Sequence, residues 1–222
     1  MSIVGQRGDT IVEVLFAVTV FSMVAVAGLS LMNQGTAMSQ RSLEIGLVRD
    51  QMDAQADALR YVHNAYIANI SASGAKTTDV WQDVSAKHAV RNAQDFSTIV
   101  ANQKCQAPQS PNPITGSDGA PFVLDERKLD GTTGSPVLFL NQADYADNTE
   151  TYSKVRYFED IDYKRPLNPA QPEGIWIQPV QSAGRNGTPG YYDFHIRACW
   201  ITPGQSSPVT LGTIVRLYDP RA

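Results

Sequence analysis

The sequence predicts an α+β protein: a long N-terminal helix, apolar in its first half and amphipathic in its second, packed on an antiparallel β-sheet head. Three observations carry this. From Thr10 to Met32 the only charged residue is Glu13. From Ile45 to Ile70, apolar residues recur at spacings of three, four or seven, the repeat of one helix face. Beyond Pro121, short apolar or alternating runs are bounded by Gly, Pro, Asn and Asp, as strands are.

The chain begins MSIVGQRG, with Arg7 its only charged side chain before Asp9. The run Thr10 to Met32 would rise about 34 Å as a helix, enough to cross the hydrocarbon core of a bilayer. Glu13 lies inside that run. A carboxylate near the centre of a membrane helix costs about 2.5 to 3.5 kcal/mol, less near the end, so Glu13 reads as functional and in need of a partner. The plainer alternative places it among headgroups or at the positive end of the helix dipole. Small residues at Val24 to Gly28 offer a competing cleavage site for a general signal peptidase. No cysteine closely follows the apolar run, which argues against a lipoprotein anchor.

Gly8, then Asp9, Thr10, Ile11, Val12, Glu13 and the apolar run together resemble the cleavage and assembly motif of type IV prepilins and pseudopilins. The likeness is close over about residues 1 to 35 and loose along the helix to about Ile70. It implies a pilin-like fold and a division into leader 1–8, membrane and assembly half-helix 9–32, amphipathic half-helix 33–74 and extracytoplasmic head 75–222. It further implies that a prepilin peptidase cuts between Gly8 and Asp9, and that the new amine is usually methylated. Glu13, fifth in the mature chain, would then meet the N-terminal amine of a neighbouring subunit. The partners implied are other pilin subunits, the prepilin peptidase, the pilus assembly platform and, before assembly, membrane lipid. The precursor would sit in the cytoplasmic membrane and the assembled subunit at the cell surface. Asp9 departs from the pattern, standing where the family most often has phenylalanine, and sets a second acid beside the amine.

In the second half of the helix, Ile45, Val48, Met52, Leu59, Val62, Tyr66 and Ile70 form the apolar stripe, while Glu44, Arg49, Asp50, Asp53, Asp57 and Arg60 are assigned to other faces. Gln55 interrupts the stripe, and the stripe is too short for a sustained coiled coil. An unbroken helix from Thr10 to Ile70 would be about 90 Å long, which suits a filament better than a globular core. Gly28, Gly35 and Gly46 each cost about 1 kcal/mol against alanine and are places for a bend or for close helix packing. Ser71 to Gly74 is the expected stop.

In the head, short helices are expected over Val80 to Arg91 and Asp95 to Gln103, followed by a loop from Cys105 to Gly119. Strands are expected over Pro121–Leu124, Val137–Leu140, Tyr152–Phe158, Ile175–Val180, Tyr191–Ile201 and Val209–Tyr218, giving a sheet of four to six strands. Cys105 and Cys199 are the two cysteines, and outside the cytoplasm they can pair one way. A disulfide there would stabilise by up to about 4 to 5 kcal/mol in the chain-entropy description. Two buried free thiols are the alternative.

Enzyme motifs are lacking. His63, His88 and His195 have no paired ligand spacing, and no G-x-S-x-G, P-loop or G-x-G-x-x-G occurs. No catalytic residue, metal site or cofactor is therefore predicted. Glu159, Asp160 and Asp162 lack the full oxygen-ligand spacing of a calcium loop and read as a solvated acidic turn. With a net charge of −4, and with Lys154 and Arg156, then Lys164 and Arg165, as its small basic clusters, no specific nucleic-acid binding is expected. Asn69 and Asn186 sit in weak glycan-acceptor triplets. Two functional classes stay open: a filament subunit, and a membrane-anchored extracellular binding domain that never polymerises. Glu13 separates them, because an anchor does not need it.

Overall fold

A computed structural model describes residues 11–69, 76–85, 89, 100–101, 104–105, 121–129, 135–139, 152–156, 171–182, 190–202 and 207–219. The chain divides into two compact units, Met1–Leu43 and Glu44–Ala222, with the division falling inside helix α1 (Ile11–Ala68).

In the first unit, α1 buries nothing. Ile11, Phe16 and Phe21 are 78%, 70% and 74% exposed, and the apolar surface extends to every side of the helix. It is long and apolar enough to cross a membrane. Its hydroxyls are satisfied within the helix: Thr19 Oγ1 donates to the Phe16 carbonyl at 2.8 Å, Ser22 Oγ to Val18 at 2.7 Å and Thr36 Oγ1 to Asn33 at 2.9 Å. Such back-bonding is what a lipid surrounding requires of a polar side chain. The helix continues through Gly28, Gly35 and Gly46, and a Cβ at any of them would meet nothing within 4 Å.

The second unit is the α+β head. Besides the C-terminal part of α1 it contains α2 (Lys76–Val84), β1 (Val100–Ala101), β2 (Lys104–Cys105), β3 (Phe122–Leu124), β4 (Val137–Phe139), β5 (Lys154–Arg156), β6 (Gln171–Glu173), β7 (Ile175–Ser182), β8 (Tyr191–Trp200) and β9 (Val209–Tyr218). The main sheet is antiparallel, in the order β4-β3-β7-β8-β9. Two small antiparallel pairs, β1 with β2 and β5 with β6, stand beside it.

Alternation along β8 explains the layering. Tyr192, Phe194, Ile196, Ala198 and Trp200 are buried and share one core with Val48, Met52, Ala56, Leu59, Val62 and Tyr66 of α1. Ile175 and Ile177 of β7, paired with Ala198 and Ile196, extend that face, as do Val215 and Leu217 of β9. Trp81 of α2 closes it, with ring centroids 4.9 Å from His63, 5.4 Å from Tyr66 and 5.9 Å from both Tyr192 and Phe194.

Several sequence expectations need correction. Glu44 is buried on the sheet-facing side of α1 and not on an outer face, and Gln55, the polar residue within the stripe, is buried there with it. The helix expected over 80–91 runs Lys76–Val84 instead, and Ala89 is not helical. Val100 and Ala101 form a strand where a helix was expected. Strand β6 was not foreseen, because Pro172 lies within it. The long strands match well: β9 coincides with its expected range, and β8 stops one residue before Ile201.

Candidate functional site

Of the motif residues, Gly8 and Asp9 lie outside the described residues. Glu13 occupies the first turn of α1 and is exposed.

Cys105 and Cys199 form a disulfide, with S–S 2.05 Å and Cα–Cα 5.8 Å. It ties β2 to β8 across a sequence separation of 94. Cys199 is one residue out of phase with Ala198 and Trp200, so it leaves β8 on the face opposite α1. Its peptide is held on both sides. The Cys199 N–H donates to the Gly174 carbonyl at 2.8 Å, and Ser153 Oγ is shared between the Cys199 carbonyl at 3.0 Å and the Gly174 carbonyl at 2.9 Å. Gly174, between β6 and β7, takes φ 66°, a left-handed conformation that glycine accommodates at little cost.

Three buried polar side chains fix α1 on the sheet. Glu44 Oε2 accepts from Trp200 Nε1 at 3.2 Å and from Thr202 Oγ1 at 2.9 Å. Gln55 pairs with both backbone groups of Leu124, donating to its carbonyl at 2.9 Å and accepting from its N–H at 2.7 Å. His63 Nε2 carries a proton and donates to the Tyr218 carbonyl at 2.8 Å. Apolar contact is non-directional, so it is these bonds, to the end of β8, to β3 and to the end of β9, that set the rotation and translation of α1. Replacing Gln55 with leucine keeps the volume but leaves the Leu124 N–H and carbonyl unpaired. We expect a loss of about 2 to 4 kcal/mol in chemical denaturation; a change under about 1 kcal/mol would dismiss Gln55 as a pin.

Beside it, burial and then the Asp125 charge push the Glu126 carboxyl above its ordinary pKa, while Gln55 opposes the shift. Asp125 is fully buried and accepts from Arg127 N, Nε and Nη2 at 3.1, 3.0 and 3.1 Å, which caps the short 3-10 turn Glu126–Lys128.

The remaining sequence candidates have structural roles or lie elsewhere. His195 faces away from α1, opposite Ile214 in the β8–β9 pairing. Burial, and then Arg197, push its pKa below the ordinary value, against a smaller opposing effect of Asp193. A lowered histidine pKa means that the folded state resists the proton, so its effect on stability is lost as pH falls below about 6.5. Melting temperature should decline between pH 7.5 and 5.5, and His195→Gln should flatten that slope; an unchanged slope would show that other groups set it.

Lys154 pairs with Glu173 at 4.0 Å and lies 5.0 Å over the Tyr152 ring. Asn69 terminates α1, its Nδ2 donating to the Ala65 carbonyl at 2.8 Å. His88, Glu159, Asp160, Asp162, Lys164, Arg165 and Asn186 lie outside the described residues. Among the described residues no group of three or more His, Cys, Asp or Glu side chains is placed to hold a metal.

Comparison of the chain with protein families, curated proteins and solved structures finds no match. The features in hand define a class in coarse terms: an α+β head with a helix long and apolar enough to cross a membrane near the N-terminus, and one disulfide.

Proposed function

We propose that this chain is a non-enzymatic structural subunit of a type IV pilus-like filament, a minor pilin or pseudopilin. In this proposal a prepilin peptidase removes the leader after Gly8. The membrane holds the precursor through α1, and the assembly platform then transfers the helix from lipid to the neighbouring subunits. The observation that carries the reading is the first unit: residues 11–43 are helical and exposed on every side, apolar throughout the span, with one acid, Glu13, at its start. Lipid alone would penalise that acid, whereas a neighbour's amine would stabilise it. The buried bonds at Glu44, Gln55 and His63 add support, since a filament subunit needs its head held to the helix in one fixed register.

N-terminal sequencing of the mature protein tests this directly. A start at Asp9 is expected; an intact Met1 or a start near Gly28 would instead favour an anchored domain that does not assemble. Glu13→Ala should leave membrane insertion intact and abolish incorporation into filaments. Removing one partner of a buried ion pair costs about 3 to 5 kcal/mol, and normal incorporation of the variant would overturn the role of Glu13.

A further inference from the structure

The head's hold on α1 begins at Glu44. Leu43 is 65% exposed, Glu44 only 4%, and Val48 is fully buried. Among the described residues, Glu44 is held by two neutral donors, the indole of Trp200 at the far end of β8 and the hydroxyl of Thr202 just past it. That end of β8 is poorly flanked. The pairing with β7 stops at Ala198, so Cys199 and Trp200 have a paired strand only on the β9 side, and Thr202 lies beyond the strand. On the unflanked side, the described residues hold the chain through the Cys199 N–H on the Gly174 carbonyl, the shared Ser153 hydroxyl, and the disulfide to Cys105. The disulfide is the one covalent member of that set, one residue from one donor to Glu44 and three from the other.

We propose that the Cys105–Cys199 disulfide positions the clamp on Glu44, so that reducing the bond releases the first held turns of α1. Two electrons and two protons convert the bridge to two thiols. The freed end of β8 then shifts, and Trp200 and Thr202 no longer converge on the Glu44 carboxylate. Because Gln55 and His63 are bonded to β3 and to the end of β9, the release stops before them. Glu44 is thus a positioning residue, and the redox state of the head governs how much of α1 the head holds. This coupling holds for a filament subunit and for a simple anchor alike.

Hydrogen exchange on the full-length protein in detergent micelles tests the coupling. The reductant is a water-soluble phosphine, oxidised in turn to its oxide, with both thiols then alkylated. Local opening sets amide exchange, so loss of the clamp should speed exchange at residues 45–50 about tenfold or more, with amides 55–66 and β3 still protected. Glu44→Ala should produce the same local change without reductant. Reducing the Glu44→Ala protein should add nothing further at 45–50, because both changes remove one coupled element. Glu44→Gln, whose amide oxygen can still accept both bonds, should retain most of the protection. Unchanged exchange at 45–50 after complete alkylation would overturn the proposal. So would additive effects of reduction and Glu44→Ala, or an equal rise through 55–66 and β3, which would make the disulfide a general stabiliser only.

Discussion

Replacing Trp81 with alanine is expected to destabilise the head by about 3 to 5 kcal/mol, the usual cost of truncating a fully buried large aromatic. Trp81 is 2% exposed and touches the rings of His63 and Tyr66 on α1 and of Tyr192 and Phe194 on β8. With Val80 and Val84, which are buried in the same core, it joins α2 to the other two layers, and it is the largest of the three. Its loss opens a cavity between helix and sheet and removes aromatic pairs worth about 0.5 to 1.5 kcal/mol each beyond their buried area. It also takes away one wall of the site that orients His63 toward the Tyr218 carbonyl. For a unit of this size, about 2 to 4 °C accompanies each kcal/mol, so the melting temperature should fall by roughly 6 to 20 °C. Trp81→Phe should cost much less, since a ring remains. A melting temperature for Trp81→Ala within about 2 °C of the parent would show that the aromatic cluster does not hold the layers together.

The elements that could be read from the sequence are those whose periodicity is unmixed. The apolar span of α1 and the alternation along β8 each follow one rule over ten residues or more, and both stand where expected. Glu44 is assigned outward because polarity alone places a residue outside, and Gln55, although on the stripe, reads only as a break in it. Their burial depends on donors and acceptors supplied by residues 69 to 158 positions away, which no local pattern contains. A signal did exist for Glu44: it falls four residues before Val48, on the stripe by spacing and off it by chemistry. A polar residue at a core spacing asks for a buried partner, and the indole of Trp200 was an available donor. Strand β6 was missed for another reason. Its Pro172 cannot donate to a ladder, yet a two-stranded pairing with β5 leaves one side of that strand free of the requirement.

Gly174→Ala is expected to cost about 3 kcal/mol or more, although it adds a single methyl group. Two independent effects combine. A non-glycine residue at φ 66° pays about 1 to 2 kcal/mol for the left-handed conformation. The new Cβ would also be driven against the Cys199 carbonyl oxygen and would lie 2.6 Å from Ser153 Oγ. The serine can turn away only by giving up its bonds to both carbonyls, while the carbonyl belongs to β8 and cannot move without shifting Cys199 and Trp200. Either response strains the end of β8 that carries the disulfide and the donors to Glu44. Ser153→Ala provides the control. It should cost about 1 to 2 kcal/mol through the lost hydrogen bonds, and in combination with Gly174→Ala the total should be less than additive, since the hydroxyl is one of the two atoms in the way. A Gly174→Ala protein as stable as the parent would mean that the β6–β7 junction can relax, and that neither the conformation of Gly174 nor its contact with Cys199 constrains the fold.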